Sequence, residues 1–417
     1  MSYNYKIKIT PELLLLAATI LKVVVIFFFY QHVIDYESSP PRIVSGYGWD
    51  KLVSCMYQGK YEMVVQSGLS DIYDLKSYSY RPPIYPIFLF LATYLSNYSA
   101  AIVVFLQSII TSLVAYLGYI VVRLSTNRKT PAIICLWTLF LFPMNFLKSG
   151  TQDEAPLMLV FILASLYIFG KYMRNQDKPA LLILSGALLG LSTMTRYTTL
   201  PITLGILLFI LTSHVISKRY KKILLFMSAY ILVLSPWVFR NYLIYDELVL
   251  TSGSGRILLF TQSEEFIESF PNKSPDVIER GYLRSFHKSH EYLSELDSFS
   301  LDKEFKRYAI SEAINSPWKF SSAFIVKLKA FMPYRYFPKQ NNIIKDIVYT
   351  LSYSLSLLFF LWSVVKSKRL TFENISLLIA LVGLILPGIV YFMLSRHLYP
   401  PMILMIVFSY IAYSNAQ

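Results

Sequence analysis

Tyr80-Arg81-Pro82-Pro83-Ile84-Tyr85-Pro86 separates a polar stretch that begins near Gln31 from an apolar run over Ile84 to Leu95. Each X-Pro step biases the residue before it away from helix, so Arg81 and Pro82 are held extended and a helix starts only after Pro83. A guanidinium is thereby fixed at the water-facing entrance of an apolar helix, where its forked donors suit an anionic headgroup. The same residues would also serve as a plain proline start with interfacial anchors, because Arg and Tyr are common at such boundaries.

Outward from this stretch the chain is apolar on a scale that a soluble domain does not sustain. Of 417 residues 55% are hydrophobic and only 15% charged, with a mean hydropathy of +0.48. An all-α polytopic membrane protein follows. The 33 Tyr and 29 Phe suit wide aromatic belts at the two interfaces. A formal net charge of +14 could suggest nucleic acid, but the Lys and Arg fall in short loops between apolar runs, the pattern of membrane orientation. Nucleic acid is therefore excluded as a partner. Cys55 and Cys135 offer neither a disulfide framework nor a metal pattern.

Candidate spans are Glu12–Tyr30, Ala100–Val122, Pro131–Leu147, Ala155–Tyr172, Ala180–Thr195, Tyr197–Ile216, Lys222–Tyr242, Ile343–Val365, Phe372–Leu394 and Tyr399–Tyr413. The first is read as an uncleaved anchor, since no small-residue cleavage site follows it. Lys22 lies inside it, either as a functional intramembrane charge or as a snorkelling or internally paired one. Alternate loops carry Arg123/Arg128/Lys129, Lys171/Arg174/Lys178, Lys218/Arg219/Lys221/Lys222 and Lys366/Lys368/Arg369. The positive-inside rule then places those loops and both termini in the cytoplasm, with about ten crossings. Ile84–Leu95, about 12 residues against the roughly 20 a span needs, is read as an interfacial or re-entrant helix on the outer side.

The expected units are a transmembrane module over residues 1–242 with a first outer loop at 31–99, a mixed outer segment at 243–342, and C-terminal transmembrane helices at 343–417. Within the outer segment, Thr251-Ser252-Gly253-Ser254-Gly255 reads as a turn-rich piece and Lys303–Ile314 as helix. Trp318–Met332 reads as an amphipathic helix lying on the membrane. No repeat or low-complexity tract is present.

This topology gathers the polar residues on one face. Arg81, Asp153-Glu154, Arg196-Tyr197, Arg240-Asn241 and Arg396-His397 all fall on the outer side with the acidic first loop. Arg196, Arg240 and Arg396 stand at the outer ends of spans against the positive-inside bias, which marks a site rather than random decoration. Arginines there can neutralise a lipid-linked phosphate. A carboxylate can take the proton of an acceptor hydroxyl or amine attacking a sugar carbon, with the lipid phosphate leaving. No phosphate-binding glycine loop is present, since Gly253-Ser254-Gly255 lacks the spacing.

In order along the chain stand Tyr57-Gln58-Gly59-Lys60-Tyr61, Arg81-Pro82-Pro83-Ile84-Tyr85-Pro86, Asp153-Glu154-Ala155-Pro156-Leu157 and Gly186-Ala187-Leu188-Leu189-Gly190-Leu191 with Arg196-Tyr197. Ser235-Pro236-Trp237-Val238-Phe239-Arg240-Asn241-Tyr242 and Arg396-His397-Leu398-Tyr399-Pro400 follow. As an ordered set these resemble the GT-C glycosyltransferases of the family 39 type, which include protein O-mannosyltransferases and lipid A aminoarabinose transferases. The resemblance implies an inverting transferase that moves a sugar from a polyprenyl-phosphate donor to a glycan, lipid or protein acceptor. Within the family, the nearest likeness is to bacterial transferases of lipopolysaccharide and other cell-envelope glycans. It also implies a multi-pass location in the plasma (inner) membrane, with the site facing the periplasm or exterior.

The family's base is an Asp in the first outer loop, a few residues before an aromatic that here is Trp49. That position falls near Ser45-Gly46, a departure, so the role passes to Asp35, beside Tyr36-Glu37, or to Asp50. Arg81, Arg196, Arg240, Arg396 and His397 are the expected donor-phosphate ligands, with Tyr85 and Asn241 beside them. Asp153 and Glu154 match the family's second acidic site, which binds donor or acceptor or, in some members, a divalent cation. The residues themselves call for no certain cofactor, and a divalent cation at Asp153 and Glu154 stays open as what the resemblance implies. His287, His290 and Glu291 have helix-face spacing and read as a solvated face rather than a zinc site. A lipid-linked glycan flippase or polymerase, and a catalytically inactive partner subunit, are the rival readings.

Overall fold

The computed structural model describes residues 10–29, 34–35, 42–43, 49–61, 63–64, 76–77, 79–95, 100–213, 216, 218–270, 272–329, 343–367, 370–391 and 395–416. The membrane body opens with α1 (Pro11–Phe29), α2 (Trp49–Tyr57), α3 (Ile84–Leu95) and α4 (Ala100–Thr126). It continues through α5 (Lys129–Phe140), α6 (Pro143–Ser149), α7 (Ala155–Arg174), α8 (Pro179–Thr195), α9 (Leu200–Thr212) and α10 (Arg219–Tyr245). The segment expected on the outer side, called the outer segment below, holds α11 (Ser254–Phe260), α12 (Glu264–Ser269), α13 (Pro275–Ser289), α14 (Ser298–Asn315) and α15 (Pro317–Lys329). The chain ends in α16 (Ile343–Lys366), α17 (Phe372–Val390) and α18 (Tyr399–Ala416). In the first loop, β1 (Ile34–Asp35) pairs antiparallel with β2 (Arg42–Ile43), and β3 (Met63–Val64) with β4 (Lys76–Ser77).

By length and composition, five helices among the described residues can cross a membrane, or six if α5 and α6 count as one bent span. Shorter apolar helices, Ile84–Leu95, Pro179–Thr195 and Tyr197–Thr212, accompany them. The chain is a multi-pass membrane protein. The continuous span expected over Pro131–Leu147 is corrected: α5 and α6 meet at 52°. Pro143 opens α6 and pushes Phe142 out of the helical region, to φ −60°, ψ 123°. A residue before proline cannot stay helical without a steric clash.

Close packing of α8 on α10 depends on two glycines of the quoted Gly186–Leu191 motif. A Cβ on Gly186 would lie 2.3 Å from the Phe226 carbonyl oxygen, and one on Gly190 would lie 2.9 Å from Val233 Cβ. Small residues at such crossings bring backbones together where no hydrophobic drive separates helix from lipid. Lys22 finds its partner inside the bundle. It is 1% exposed, donates to Thr111 Oγ1 at 2.9 Å, and faces the Phe140 and Phe146 rings at 5.3 and 5.1 Å.

The outer segment builds a small core of its own from Leu259, Leu283, Leu293, Leu301, Phe305 and Ala309. Asp297 caps α14 by accepting the Phe299 and Ser300 N–H groups at 2.9 and 3.2 Å, a contact typically worth ~1 kcal/mol. Asp302 accepts the Gly255 and Arg256 N–H groups at 2.7 and 3.3 Å, which ties the start of α11 to α14. The piece read as turn-rich thus becomes helical from Ser254 onward. The amphipathic helix expected from Trp318 is α15, with Trp318 and Ile325 exposed and Ala323, Val326 and Lys327 buried. Lys327 Nζ donates to the Val390 carbonyl at 2.7 Å, so α15 is fastened to the last turn of α17.

Candidate active site

A cavity of about 350 Å³ opens where the Tyr80–Pro82 stretch, the α6–α7 loop, the end of α8, the start of the outer segment and the end of α17 converge. Arg81, Glu154, Arg196 and His397 line it, with Leu384 and Pro387 supplying an apolar wall. Four residues expected at the site from sequence are therefore brought together from separate segments.

Each arrives for a local reason. Arg81 leads into two prolines and cannot enter α3; Tyr61 Oη fixes its backbone by donating to the Arg81 and Pro82 carbonyls at 3.0 and 3.3 Å. Gly253 closes the opposite side at φ +102°, where a Cβ would lie 2.6 Å from the Tyr80 ring. Only glycine adopts that backbone without strain while leaving the ring its space. Arg196 is the C-terminal cap of α8 in an extended conformation, φ −157°, ψ 119°, which turns the chain off the helix end at the cavity. His397 sits in the single 3-10 turn before α18.

Asp153 and Glu154 divide their roles. Glu154 lines the cavity and stands 3.4 Å from Arg196 Nη1, with side chains 12% and 18% exposed. Asp153 is turned away from it and pairs with Lys148, while its Oδ1 accepts the Ala155 N–H at 2.8 Å. Burial alone would raise the Asp153 carboxyl; the Lys148 ammonium and the two hydrogen bonds outweigh it and hold it below the usual carboxylate range. A divalent cation needs several free oxygen donors. Here one carboxylate is neutralised by Lys148 and the other faces Arg196, so this pair does not fit a metal ion. Among the described residues no three His, Cys, Asp or Glu side chains come together as a metal site.

Arg240 and Asn241 lie apart from the cavity lining. The Arg240 guanidinium stacks over Trp237 at 4.6 Å and Tyr61 at 5.2 Å, and Asn241 donates to the Val249 carbonyl at 2.9 Å. Tyr85 is fully buried in a separate cluster with Leu52, Leu89 and Val104. The side chains of Asp35, Asp50 and Arg396 lie outside the described residues; in the backbone Asp35 pairs with Arg42 across β1 and β2, and Asp50 is in the first turn of α2. His290 packs on the Phe286 ring at 4.1 Å, and its Nδ1, when protonated, donates to the Phe286 carbonyl 3.0 Å away.

Lys148 is not among the groups the sequence singles out, and Tyr197 enters there only as the neighbour of Arg196. Lys148 stands five residues before Asp153, a spacing that a turn between two helices can close. Tyr197, next to Arg196, accepts the Trp237 indole N–H at 2.9 Å and donates to the Ser79 carbonyl at 3.4 Å. Burial holds the Tyr61 phenol above its usual range.

Residues 80–239 match the family model described as dolichyl-phosphate-mannose-protein mannosyltransferase. Among solved structures, the apo oligosaccharyltransferase of Archaeoglobus fulgidus is similar at 13% identity and a TM-score of 0.54, over 99% of this chain and 51% of that one. The chain shares the GT-C fold of that structure. It spans about half the length of that oligosaccharyltransferase. ArnT from Cupriavidus metallidurans, in a structure with bound undecaprenyl phosphate, is also similar, at 12% identity and a TM-score of 0.42 over 96% of this chain and 77% of that one. No curated protein matches the sequence. The GT-C family match starts at Tyr80 and ends at Phe239, so it takes in Arg81, Asp153, Glu154 and Arg196 and stops one residue short of Arg240.

Proposed function

We propose that this protein moves a sugar from a polyprenyl-phosphate donor to a glycan, lipid or protein acceptor of the cell envelope, with inversion at the sugar carbon. The reaction would take place at the outer face of the plasma membrane. The observation that carries this reading is the cavity itself, whose lining brings Arg81, Arg196, His397 and Glu154 together with the apolar residues Leu384 and Pro387. A phosphate on a hydrocarbon chain has both kinds of surface, and forked guanidinium contacts suit its oxygens.

In the proposed step the acceptor oxygen or nitrogen attacks the sugar carbon and gives its proton to a carboxylate. The bond from that carbon to the phosphate oxygen breaks, and polyprenyl phosphate leaves with the bonding electron pair. Arg81 and Arg196 would stabilise the charge gathering on the leaving phosphate, where fixed donors act most strongly. The base is assigned to Asp35 or Asp50 in the first loop. Glu154, held near Arg196, is suited to orient the acceptor once phosphate competes for that guanidinium. Asp153 is not available for proton transfer while Lys148 holds it.

The deciding experiment supplies purified protein with polyprenyl-phosphate sugars and follows release of polyprenyl phosphate together with sugar transfer. Release that is lost in Arg81→Ala supports the reading. Tight binding of polyprenyl phosphate with no turnover of any donor would favour an inactive partner subunit.

A further inference from the structure

Three segments of the chain meet at Arg240. Its guanidinium stacks over the rings of Trp237 and Tyr61, which themselves touch edge to face at 5.1 Å. Nη2 donates to the Tyr61 carbonyl at 3.2 Å, and Nη1 to Asn241 Oδ1 at 3.0 Å. Trp237 Nε1 donates to the Leu250 carbonyl at 3.0 Å, and Asn241 Nδ2 reaches the same carbonyl at 3.3 Å. The end of α10 is thereby joined to the first loop and to the start of the outer segment.

The connection then runs to the cavity wall by two routes. Tyr61 Oη donates to the backbone carbonyls of Arg81 and Pro82. Tyr197 Oη, bonded to Trp237, donates to the Ser79 carbonyl, and Ser79 Oγ donates to Ser252 Oγ at 3.0 Å. Arg81, Tyr197 and Ser252 line the cavity, whereas Arg240 does not. Arginine suits such a knot because its planar group stacks on rings while its edge keeps forked donors free. Lysine could bring its charge to a ring but could neither stack nor fork.

Resting on the donor reading above, we infer that Arg240 is a positioning residue: it sets where Arg81 stands by clamping Tyr61 against Trp237, and does not itself hold the donor phosphate. The sequence alone had grouped Arg240 with the phosphate ligands, because it stands at a helix end beside them.

Two measurements test this. The first reads the clamp without any ligand. With Cys55 and Cys135 replaced by Ala, a Ser79→Cys/Ser252→Cys pair should cross-link readily on oxidation, because the two side chains already touch. Adding Arg240→Ala should slow cross-linking by roughly tenfold, since a disulfide forms only within a narrow separation. Arg240→Lys, which keeps the positive charge beside the rings, should slow it less and separates loss of the clamp from unfolding.

The second is a double-mutant cycle on binding of undecaprenyl phosphate in detergent, with the uncharged polyprenol as control. Arg81→Ala and Arg240→Ala should each weaken phosphate-dependent binding by about 10- to 100-fold. The double variant should bind within about twofold of Arg81→Ala alone, because residues acting through one another are not additive. Losses that multiply would make Arg240 a direct ligand and overturn the inference, as would cross-linking unchanged in Arg240→Ala. Full affinity in Arg81→Ala would instead sink the donor reading, and the cross-linking result would still decide the clamp.

Discussion

Glu154 and Arg196 face each other across 3.4 Å at the cavity wall, both largely buried and both on its surface. A buried guanidinium with one loosely held carboxylate is ready to accept a second anion. Arg196→Ala should weaken binding of a polyprenyl phosphate by about 1.5–3 kcal/mol, the usual worth of a charge-assisted hydrogen bond. Arg196→Lys should recover only part, since the fork is lost. Titration of lipid phosphate into the purified variants checks both, and wild-type affinity in Arg196→Ala would remove this residue from the site.

Lys148 and Asp153 form a buried pair that should matter to stability. Removing one partner leaves an uncompensated charge, so Lys148→Met and Asp153→Asn should each cost about 3–5 kcal/mol, with the double variant less destabilised than the sum. The Asp153 carboxyl is depressed, so its contribution is present above its unfolded value, about 3.9, and is lost as pH falls through the lower folded value. Thermal unfolding in detergent between pH 2 and 6 reads this. An unchanged pH dependence in Asp153→Asn would contradict it.

Of the two glycines of α8 against α10, Gly186 leaves less room for a side chain. Gly186→Ala places a methyl group against the rigid Phe226 carbonyl and should destabilise by about 1–3 kcal/mol. A lowered melting temperature is the readout. A variant as stable as wild type would mean that the two helices can separate without cost.

The first loop carries the proposed base. Asp35→Asn or Asp50→Asn, but only one of them, should lower turnover by about 100- to 10,000-fold while donor affinity changes only a few-fold. Sugar transfer at saturating donor separates the two, and full turnover in both variants would take the first loop out of catalysis.

Much of this architecture is readable from short-range rules. The two prolines after Arg81 hold that residue out of α3 wherever the rest of the chain goes. Apolar runs over Ala155–Arg174 and Phe372–Val390 become membrane-length helices, because backbone polar groups in lipid must be satisfied within the segment. The break inside the span predicted over Pro131–Leu147 was also written in the sequence, at Phe142-Pro143, but continuous hydropathy concealed it.

Partner choice belongs to the tertiary structure. Adjacent in sequence, Asp153 and Glu154 look interchangeable; which one faces the cavity depends on Lys148 taking the first and Arg196 the second. Arg240 and Tyr61 are 179 residues apart, and no local preference tells a guanidinium at a helix end whether it will meet a phosphate or an aromatic pair. Steric limits and hydropathy act within a turn or two of chain, so sequence alone determined the helices and the exclusion of Arg81 from α3. Charge pairing acts through space over a few ångströms, so only the folded bundle decided that Arg81, Glu154, Arg196 and His397 share one cavity while Arg240 is bound into the clamp behind it.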